Sequence, residues 1–440
     1  MNFPKTVGLI SLGCSKNRVD SEVLLGQLAK RNVTPVSDPK QAELIVVNTC
    51  GFIEPAKEES IDAILEMAQY KKTGQCKLLL VTGCLAQRYS EALKAEMPEV
   101  DGFMGVAEYP NVIETIEQMI GGNKPVFIGE CARFFQSDRV LTTPKYSAYI
   151  KISDGCDNRC TYCAIPLIRG GYHSRPYDQI MDECKTFCAA GVSELTLIAQ
   201  DTSRYGNDFA QGSLLLSKLL RDISEIEGLH WLRVLYCYPD TVDERLLDTI
   251  ASLPKASKYL DLPLQHFDAE MLTRMNRRGT PEHIEKLIEQ CRARGILTRT
   301  TMIVGFPGET QAQFETLLDF VKRAKFARLG AFTYSPEEGT AAADMPGQLD
   351  EETKRDRLDQ LMMLQQGISQ DHNEARIGHV YEVLVERYDG GRYIGRTQWE
   401  APEVDGIVAF GSQRKLKPGQ YVKVLIDSAD AYDLTGVEVL

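Results

Sequence analysis

The sequence predicts an α/β protein built from three successive domains. Through most of the 440-residue chain, short apolar runs alternate with helical segments, a pattern typical of parallel sheets with connecting helices. From residue 375 onwards the pattern changes to short β-rich runs separated by turns, which is typical of a small antiparallel barrel. We therefore expect an N-terminal open parallel α/β sheet in residues 1–136, a central partial TIM-type (β/α)6 barrel in residues 145–370 and a small antiparallel β-barrel in residues 375–440.

The N-terminal part contains three apolar runs that we expect to be buried parallel strands, at residues 7–11, 42–48 and 78–82. Helices are expected at residues 17–30 and 58–70. A cysteine follows each strand, and we call Cys14, Cys50 and Cys84 the strand-end triad. Because ligands collect at the carboxyl edge of an open α/β sheet, these three residues can converge on one metal site. The alternative is three small hydrophobic residues that cap strands.

Cys156, Cys160 and Cys163 form a second group, the loop triad, directly after a strand that begins near Tyr149. Their C-x3-C-x2-C spacing supplies three thiolates, whereas a structural zinc or a saturated cluster takes four protein ligands. A cuboidal 4Fe–4S cluster on three cysteines keeps one iron open to a small molecule. The alternatives are a zinc knuckle without its fourth ligand and scattered core thiols, although a tight glycine-flanked loop is a poor way to pack a core.

The central part repeats strand and helix, and we expect its five further strands at residues 194–198, 231–236, 259–262, 300–304 and 329–334. Six parallel strands with right-handed crossovers suit a partial TIM-type barrel, whose active site lies at the carboxyl ends of the strands. Those ends carry polar groups, among them Gln200, Asp201, Gln265, His266, Glu309 and Glu337.

A charged helix at residues 350–376 leads to five expected strands, at residues 380–388, 393–397, 407–410, 421–426 and 434–439. They suit a barrel of the oligonucleotide-binding type. This part carries eight Lys and Arg against ten Asp and Glu, with Glu400, Glu403 and Asp405 close together. Because an RNA-binding face is basic, this acidic cluster suits a basic protein partner better.

Composition restricts the compartment and the partners. The formal net charge of −12 is unfavourable for general phosphate-backbone binding. No apolar stretch approaches the roughly 20 residues that span a bilayer, and no signal-peptide pattern follows the N-terminus, so we expect a cytoplasmic protein without a membrane partner. The other cysteines match no motif and are expected to be ordinary thiols, with Cys184 and Cys188 packed on one helix: Cys76, Cys131, Cys184, Cys188, Cys237 and Cys291.

These motifs resemble the methylthiotransferase family of radical S-adenosylmethionine (SAM) enzymes. The loop triad, with Tyr162 before its last cysteine, resembles the cluster loop that binds SAM in that superfamily. The segments Ser-Leu-Gly-Cys14, Val-Asn-Thr-Cys50 and Val-Thr-Gly-Cys84 resemble the family's N-terminal domain, and the last part resembles a TRAM domain. The resemblance covers essentially the whole chain. It implies two 4Fe–4S clusters: a SAM-binding cluster on the loop triad and an auxiliary cluster on the strand-end triad.

The resemblance also implies SAM contacts at Tyr162, Gln265, Gly305 and Glu309. Residues 303–309 partly match the superfamily's adenine-contacting strand, although Thr301 replaces the usual first glycine, and a tight turn explains them equally well. Four arginines are candidate anchors for a carboxylate or simply solvated charges: Arg169, Arg175, Arg277 and Arg278. No residue is singled out as catalytic.

Four segments look like the branch of the family that modifies an aspartate in protein twelve of the small ribosomal subunit: residues 165–170, 199–206, 261–266 and 395–406. In that branch one SAM methylates a sulfur associated with the auxiliary cluster, and a second yields the radical that removes hydrogen from the aspartate β-carbon. An electron donor such as flavodoxin or ferredoxin is implied. The alternatives are a transfer RNA adenosine methylthiotransferase, a non-catalytic iron–sulfur carrier and an RNA-binding protein with structural zinc.

Overall fold

A computed structural model describes residues 2–129, 138–210 and 215–439 of the chain. Cys131 and the expected domain end at residue 136 lie outside these ranges. The predicted fold class is confirmed, because the described residues form an N-terminal parallel sheet, a central set of six parallel strands and a closed five-stranded barrel. In the described ranges, no helix is long and apolar enough to cross a membrane.

The N-terminal domain is a six-stranded parallel sheet in the order β2-β1-β3-β4-β5-β6. Its strands are β1 Thr6–Ser11, β2 Thr34–Pro35, β3 Leu44–Thr49, β4 Leu78–Gly83, β5 Gly102–Met104 and β6 Val126–Phe127. Its helices are α1 Ser15–Ala29, α2 Glu54–Thr73, α3 Cys84–Glu96 and α4 Val112–Ile120. The three predicted strands are therefore present, and three strands of two or three residues were not predicted.

Alternation along the central strands explains why the sheet is covered on both faces. Val46 and Leu80 pack with apolar residues of α1 and α4. Ile45 and Val47 point to the opposite face and pack with α2 and α3. Because successive side chains of a strand face opposite ways, a continuous run of apolar residues buries both faces of the sheet. Polar side chains instead follow the strands at the carboxyl edge of the sheet.

The central domain has six parallel strands in two hydrogen-bonded sets, β11-β10-β7 and β12-β13-β14. The strands are β7 Ser147–Lys151, β10 Glu194–Ile198, β11 Trp231–Val234, β12 Tyr259–Gln265, β13 Leu297–Val304 and β14 Arg328–Thr333, and a short hairpin pairs β8 Ser153–Asp154 with β9 His173–Ser174. The helices are α5 Ile165–Arg169, α6 Tyr177–Ala189, α7 Leu216–Ser224, α8 Glu244–Ser252, α9 Ala269–Arg274, α10 Pro281–Ala293, α11 Gln311–Ala324 and α12 Glu351–Glu374.

The ladder is interrupted between β11 and β12, which the sequence did not indicate. Strand β11 was expected to reach residue 236 but ends at Val234, because Tyr236 adopts a left-handed backbone with φ of 63°. Such a conformation cannot continue a strand. Single hydrogen bonds, such as Cys237 N–H to the Asp261 carbonyl at 2.9 Å, join the two sets.

The C-terminal domain is a closed barrel in the order β15-β16-β17-β19-β18. Its strands are β15 Val380–Asp389, β16 Arg392–Arg396, β17 Val408–Gly411, β18 Tyr421–Ala429 and β19 Leu434–Glu438. Four of its five strand pairs are antiparallel, as predicted, and one differs, since β17 and β19 run parallel. Strand β18 lies between β17 and β19 in the sequence and pairs with β15 and β19. The chain therefore crosses the barrel once between β17 and β19, and these two strands run in the same direction.

Buried ion pairs hold the C-terminal barrel against the amino ends of the central strands. Arg396 forms a two-bond pair with Glu194 at the start of β10, and both side chains are almost fully buried. Glu400 accepts hydrogen bonds from Arg328 of β14 at 3.1 Å and from Arg376 at 2.5 Å. Paired arginine forks of this kind satisfy a desolvated carboxylate.

The expectation of a free acidic docking face on the C-terminal barrel is therefore wrong. Glu400 is buried against two arginines, Asp405 lies 3.6 Å from Arg299 and accepts a hydrogen bond from Tyr259, and Glu403 pairs with Arg18 of α1 at 2.7 Å. A count of charges along the sequence does not show which of them are neutralised inside the protein. Glu400 and Asp405 are buried in contacts between domains, and Glu403 forms a half-exposed pair with α1.

Glu400→Gln is expected to destabilise the chain by about 3 kcal/mol at neutral pH, the usual order for breaking a buried ion pair. Burial alone would raise the pKa of the Glu400 carboxyl, but Arg376 and Arg328 lower it to about 2 from an ordinary value of 4.5. A group whose pKa is depressed in the folded state contributes stability above its unfolded pKa, and this contribution is lost as the pH falls towards the folded pKa.

Urea unfolding of the iron-free chain checks this expectation. The difference between wild type and Glu400→Gln should be constant above about pH 5 and should shrink below it. The matched control is Glu403→Gln, whose half-exposed pair with Arg18 is worth under about 1 kcal/mol. Equal destabilisation by the two variants would contradict the assignment.

Candidate active site

The six cysteines of both triads line a single cavity of about 340 Å³, which we call the shared cavity. It lies where the carboxyl edge of the N-terminal sheet faces the carboxyl ends of the central strands. All six are free thiols. The sequence predicted two groups on two domains, and the structure brings the groups together.

Glycines next to the strand-end triad allow its three strand ends to approach closely. Gly13 has φ of 82°, and a Cβ atom on it would lie 2.9 Å from the Cβ of Cys50. Gly83 has φ of 99°, and a Cβ there would lie 2.3 Å from Oδ1 of Asn48. Any other residue would be strained at both positions and would push the ends of β1, β3 and β4 apart.

Asn17 fixes the relative positions of the same strand ends. Its Nδ2 donates to the carbonyl of Leu12 and to that of Thr49, each at 2.9 Å. Its Oδ1 lies 3.7 Å from Sγ of Cys84. The first turn of α1 therefore connects the loops that follow β1 and β3 with the third cysteine.

The buried side chain of Arg169 connects the two halves of the site. Its Nη2 lies 3.7 Å from Sγ of Cys84 and donates to Asp20 at 2.8 Å, and its Nη1 pairs with Asp154 at 3.1 Å. Asp154 lies two residues before Cys156, at the entrance to the loop triad. From the sequence, Arg169 was a candidate anchor for a carboxylate or a solvated charge. The structure shows instead a fully buried cation between the triads.

The loop triad is held by its own backbone and by one arginine. Cys156 N–H donates to the Gly170 carbonyl at 3.1 Å, and Cys163 N–H donates to the Cys160 carbonyl at 3.0 Å. Nη1 of Arg277 lies 3.7 Å from Sγ of Cys160, and its Nη2 donates to the Pro263 carbonyl. The guanidinium therefore faces a sulfur atom of the loop triad directly.

Burial and neighbouring charge act differently on the individual thiols. Burial raises the pKa of Cys84 to about 12 and that of Cys156 to about 11. Burial acts in the same direction at Cys14, but the charges of Lys16 and Arg169, with backbone N–H groups, outweigh it and hold the pKa below its ordinary value. Since metal binding requires thiolates, Cys14 is the member of its triad that loses its proton most easily.

The donor set fits two iron–sulfur clusters better than single metal ions. Among the residues that the structure describes, no three His, Cys, Asp or Glu side chains are placed to hold one metal ion. A cuboidal cluster is wider than an ion, so its cysteine ligands stand further apart. Six soft thiolates in two groups of three, without a fourth cysteine for either group among the described residues lining the cavity, match two clusters with an open iron each.

A second cavity of about 350 Å³ adjoins the shared cavity. Phe52, Tyr162, Gln265 and Thr301 line both, and the remaining wall of the second cavity is largely apolar, with Ile303 and residues of β14 and the following loop. Gln265 has φ of 74° at a bulge in β12. A mostly apolar cleft with a few polar groups is the usual form of a small-molecule site.

The four predicted SAM contacts divide between this cleft and a buried turn. Tyr162 and Gln265 line both cavities, whereas Gly305 and Glu309 line neither. Glu309 is buried and accepts hydrogen bonds from the backbone N–H groups of Gly305 and Phe306. A Cβ on Gly305 would lie 2.4 Å from Cγ of Lys354 in α12. The turn thus follows the carboxyl end of β13 and packs against α12.

Of the other polar candidates, Gln200 lines the shared cavity and Glu337 lines the second cavity, whereas His266, Arg175 and Arg278 line neither. His266 is buried, its Nδ1 accepts from the Asp268 N–H at 3.0 Å, and its ring lies 3.7 Å from Glu309. Arg175 pairs with Glu183 of α6 at 2.6 Å. Arg278 is half-exposed, 4.0 Å from Asp240. Cys184 and Cys188 lie in the apolar core, which confirms helix packing as their role.

Sequence reasoning missed Lys16, Tyr236 and Arg299, which also line the shared cavity. The Nζ of Lys16 lies 3.2 Å from the ring centroid of Tyr236. Arg299 pairs with Asp261 at 3.1 Å and lies near Asp405 of the C-terminal barrel. Strand alternation could have predicted Arg299, because residues two apart on a strand share a face. Arg299 therefore faces the same way as Thr301, which lines the shared cavity.

Comparison with known proteins agrees with this architecture. The models of the Uncharacterized protein family UPF0004, the Radical SAM superfamily and the TRAM domain match residues 6–105, 150–321 and 377–439. The chain is 48% identical over 435 residues to the ribosomal protein uS12 methylthiotransferase RimO of Clostridium botulinum strain Loch Maree, covering 98% of this chain and 97% of the relative. The chain belongs to the RimO family. RimO of Pelotomaculum thermopropionicum is also 48% identical, over 99% of both chains.

Membership in the RimO family confirms the predicted methylthiotransferase family of radical SAM enzymes, with its 4Fe–4S clusters and SAM as cofactors. Among solved structures, the radical SAM methyltransferase TsrM of Kitasatospora setae, bound to cobalamin and a [4Fe-4S] cluster, matches with a TM-score of 0.57 and 16% identity. The match covers 76% of this chain and 73% of TsrM. At that identity the similarity shows the fold alone.

Proposed function

We propose that this chain transfers a methylthio group to the β-carbon of an aspartate in ribosomal protein uS12. The observation that carries the proposal is the shared cavity, in which a chain 48% identical to RimO enzymes presents both cysteine triads to one volume. Two cofactor sites that open into the same space can act on the same substrate atom. A carrier of clusters has no need of that arrangement.

We assign the SAM-binding cluster to the loop triad and the auxiliary cluster to the strand-end triad. When bound, these groups supply the radical and sulfur chemistry that an unactivated C–H bond requires. The chain supplies position and shielding. Arg277 and Arg169 place positive charge 3.7 Å from the sulfurs of Cys160 and Cys84, and at Cys84 this charge partly offsets the rise in pKa that burial causes.

We place SAM in the second cavity, in contact with Tyr162 and Gln265. Both residues border the shared cavity as well, so a molecule between them reaches the loop triad and the substrate space together. Gly305 and Glu309 support this site indirectly: Glu309 holds the turn that begins two residues after Ile303, and the side chain of Ile303 lines the second cavity. The aromatic side chains of Phe52 and Tyr162 stand between the two cavities and limit the access of water to both.

Three further assignments complete the proposal. The domain boundaries are 1–136, 145–370 and 375–440. The enzyme acts in the cytoplasm, where thiols stay reduced. Its electrons come from a carrier such as flavodoxin or ferredoxin.

The proposal is tested with the full chain, reconstituted anaerobically with iron and sulfide and supplied with SAM, a reductant and small ribosomal subunits. Mass mapping should place one methylthio group on an aspartate of uS12, and transfer RNA in a parallel reaction should contain no methylthio adenosine. Modification of transfer RNA alone would establish the other branch of the family. A protein that never cleaves SAM would support a carrier role, and a colourless zinc protein would support a structural-zinc role.

A further inference from the structure

Four cationic side chains line the shared cavity: Lys16, Arg169, Arg277 and Arg299. Three of them are engaged by the protein. Arg169 pairs with Asp20 and Asp154, Arg299 pairs with Asp261, and Arg277 contacts the Cys160 sulfur and a backbone carbonyl. Lys16 differs from these three, because its ammonium has neither an ion pair nor a hydrogen-bond acceptor in the described part of the chain.

The ammonium of Lys16 is buried without a carboxylate partner. Lys16 is 8% exposed, and its Nζ stands 3.2 Å above the centroid of the Tyr236 ring. A ring face stabilises a cation by about 0.5 to 2 kcal/mol, which is less than the cost of removing an ammonium from water. The structure thus maintains a desolvated positive charge beside Cys14 and at the wall of the cavity.

Tyr236 holds this arrangement in place at a cost to its own backbone. Its φ of 63° is unfavourable for a residue with a bulky side chain. Two hydrogen bonds fix it, from Tyr236 N–H to Asp261 Oδ2 at 3.1 Å and from Thr202 N–H to the Tyr236 carbonyl at 2.9 Å. Backbone strain that its surroundings enforce concentrates at functional sites.

We propose that Lys16 binds the side-chain carboxylate of the substrate aspartate and thereby selects an acidic side chain. The inference rests on the proposed function and names the group that recognises its substrate. A carboxylate would complete the ion pair that the protein itself leaves open. Because the β-carbon of aspartate is bonded directly to the carboxylate carbon, a carboxylate held by Lys16 also places the reacting carbon between the triads. A neutral adenine offers no such counter-charge.

The test compares uS12 with its target aspartate and uS12 with Asn at that position. The wild-type enzyme should prefer the aspartate form by about 100-fold in kcat/KM, since removal of one partner of a buried charge pair has an effect of that order. Lys16→Met should lower kcat/KM for the aspartate form by about 100-fold and abolish the preference. Lys16→Arg, which keeps the charge, should retain the preference.

Lys30→Met is the matched control, because Lys30 caps the same helix α1 and is half-exposed. It should behave as wild type. Iron content is measured for every variant, and loss of iron from Lys16→Met would assign Lys16 to the auxiliary cluster and overturn the inference. Equal use of Asp and Asn by the wild-type enzyme would also overturn it, without any variant. A wild-type enzyme that modifies no uS12 would overturn the proposed function itself.

Discussion

Replacing Cys156, Cys160 and Cys163 together by Ala is expected to abolish reductive SAM cleavage and to halve the iron content of the anaerobically purified chain. Without its three thiolates the loop cannot hold a cluster, so about eight irons per chain should fall to about four. The strand-end triad should keep its iron, because its thiols follow β1, β3 and β4 of the N-terminal domain. Iron analysis and chromatography of 5′-deoxyadenosine measure the two quantities.

Cys188→Ala is the matched control for this experiment, since Cys188 belongs to the same domain but packs on α6 in the apolar core. It should retain full iron and full SAM cleavage. An iron content unchanged by the triple substitution would show that the loop triad binds no cluster.

Replacing Cys14, Cys50 and Cys84 together by Ala is expected to abolish methylthio transfer while SAM is still cleaved to 5′-deoxyadenosine. The loop triad should survive because Arg169 loses only its contact with the Cys84 sulfur and keeps its pairs with Asp20 and Asp154. The measurements are the mass of uS12 after reaction, the iron content and the yield of 5′-deoxyadenosine.

The control in the same domain is Cys76→Ala, a buried thiol that lines neither of the two cavities. It should transfer the methylthio group normally. If the triple variant keeps about half of its iron yet no longer cleaves SAM, the two cluster sites depend on each other, and separate roles for the triads would be untenable.

The sequence was sufficient for the fold class because buried parallel strands are continuous apolar runs that few other structures produce. Strand Glu194–Ile198 was predicted to the residue. Strands β2 and β6, with two residues each, are too short to show any periodicity. The early end of β11 depends on the left-handed backbone of Tyr236, which tertiary hydrogen bonds impose and which a tyrosine does not signal.

The cysteines of the site were predictable because ordinary core packing rarely places thiols at this spacing or directly after three successive strands. Their meeting in one cavity was not predictable, since it depends on contacts between residues far apart in sequence. Arg88 of α3, for example, donates to Glu337 in the loop after β14 at 2.9 Å. Charge counting failed for Glu400 and Asp405 for the same reason, because their arginine partners lie on other elements.

The ion pairs at the base of the central barrel link the maturation of this enzyme to the end of its synthesis. Both cysteine triads are complete once residue 163 has been made. Arg396, the ion-pair partner of Glu194, follows Glu194 by 202 residues. Domains fold in order from the N-terminus as the ribosome produces them. The nascent chain therefore has all its iron ligands while Glu194 still lacks its two hydrogen bonds from Arg396 and has only Arg233, 4.0 Å away, as a counter-charge among the described residues. A chain that stops short of Arg396 is expected to be a target for proteases even though its metal-binding residues are intact.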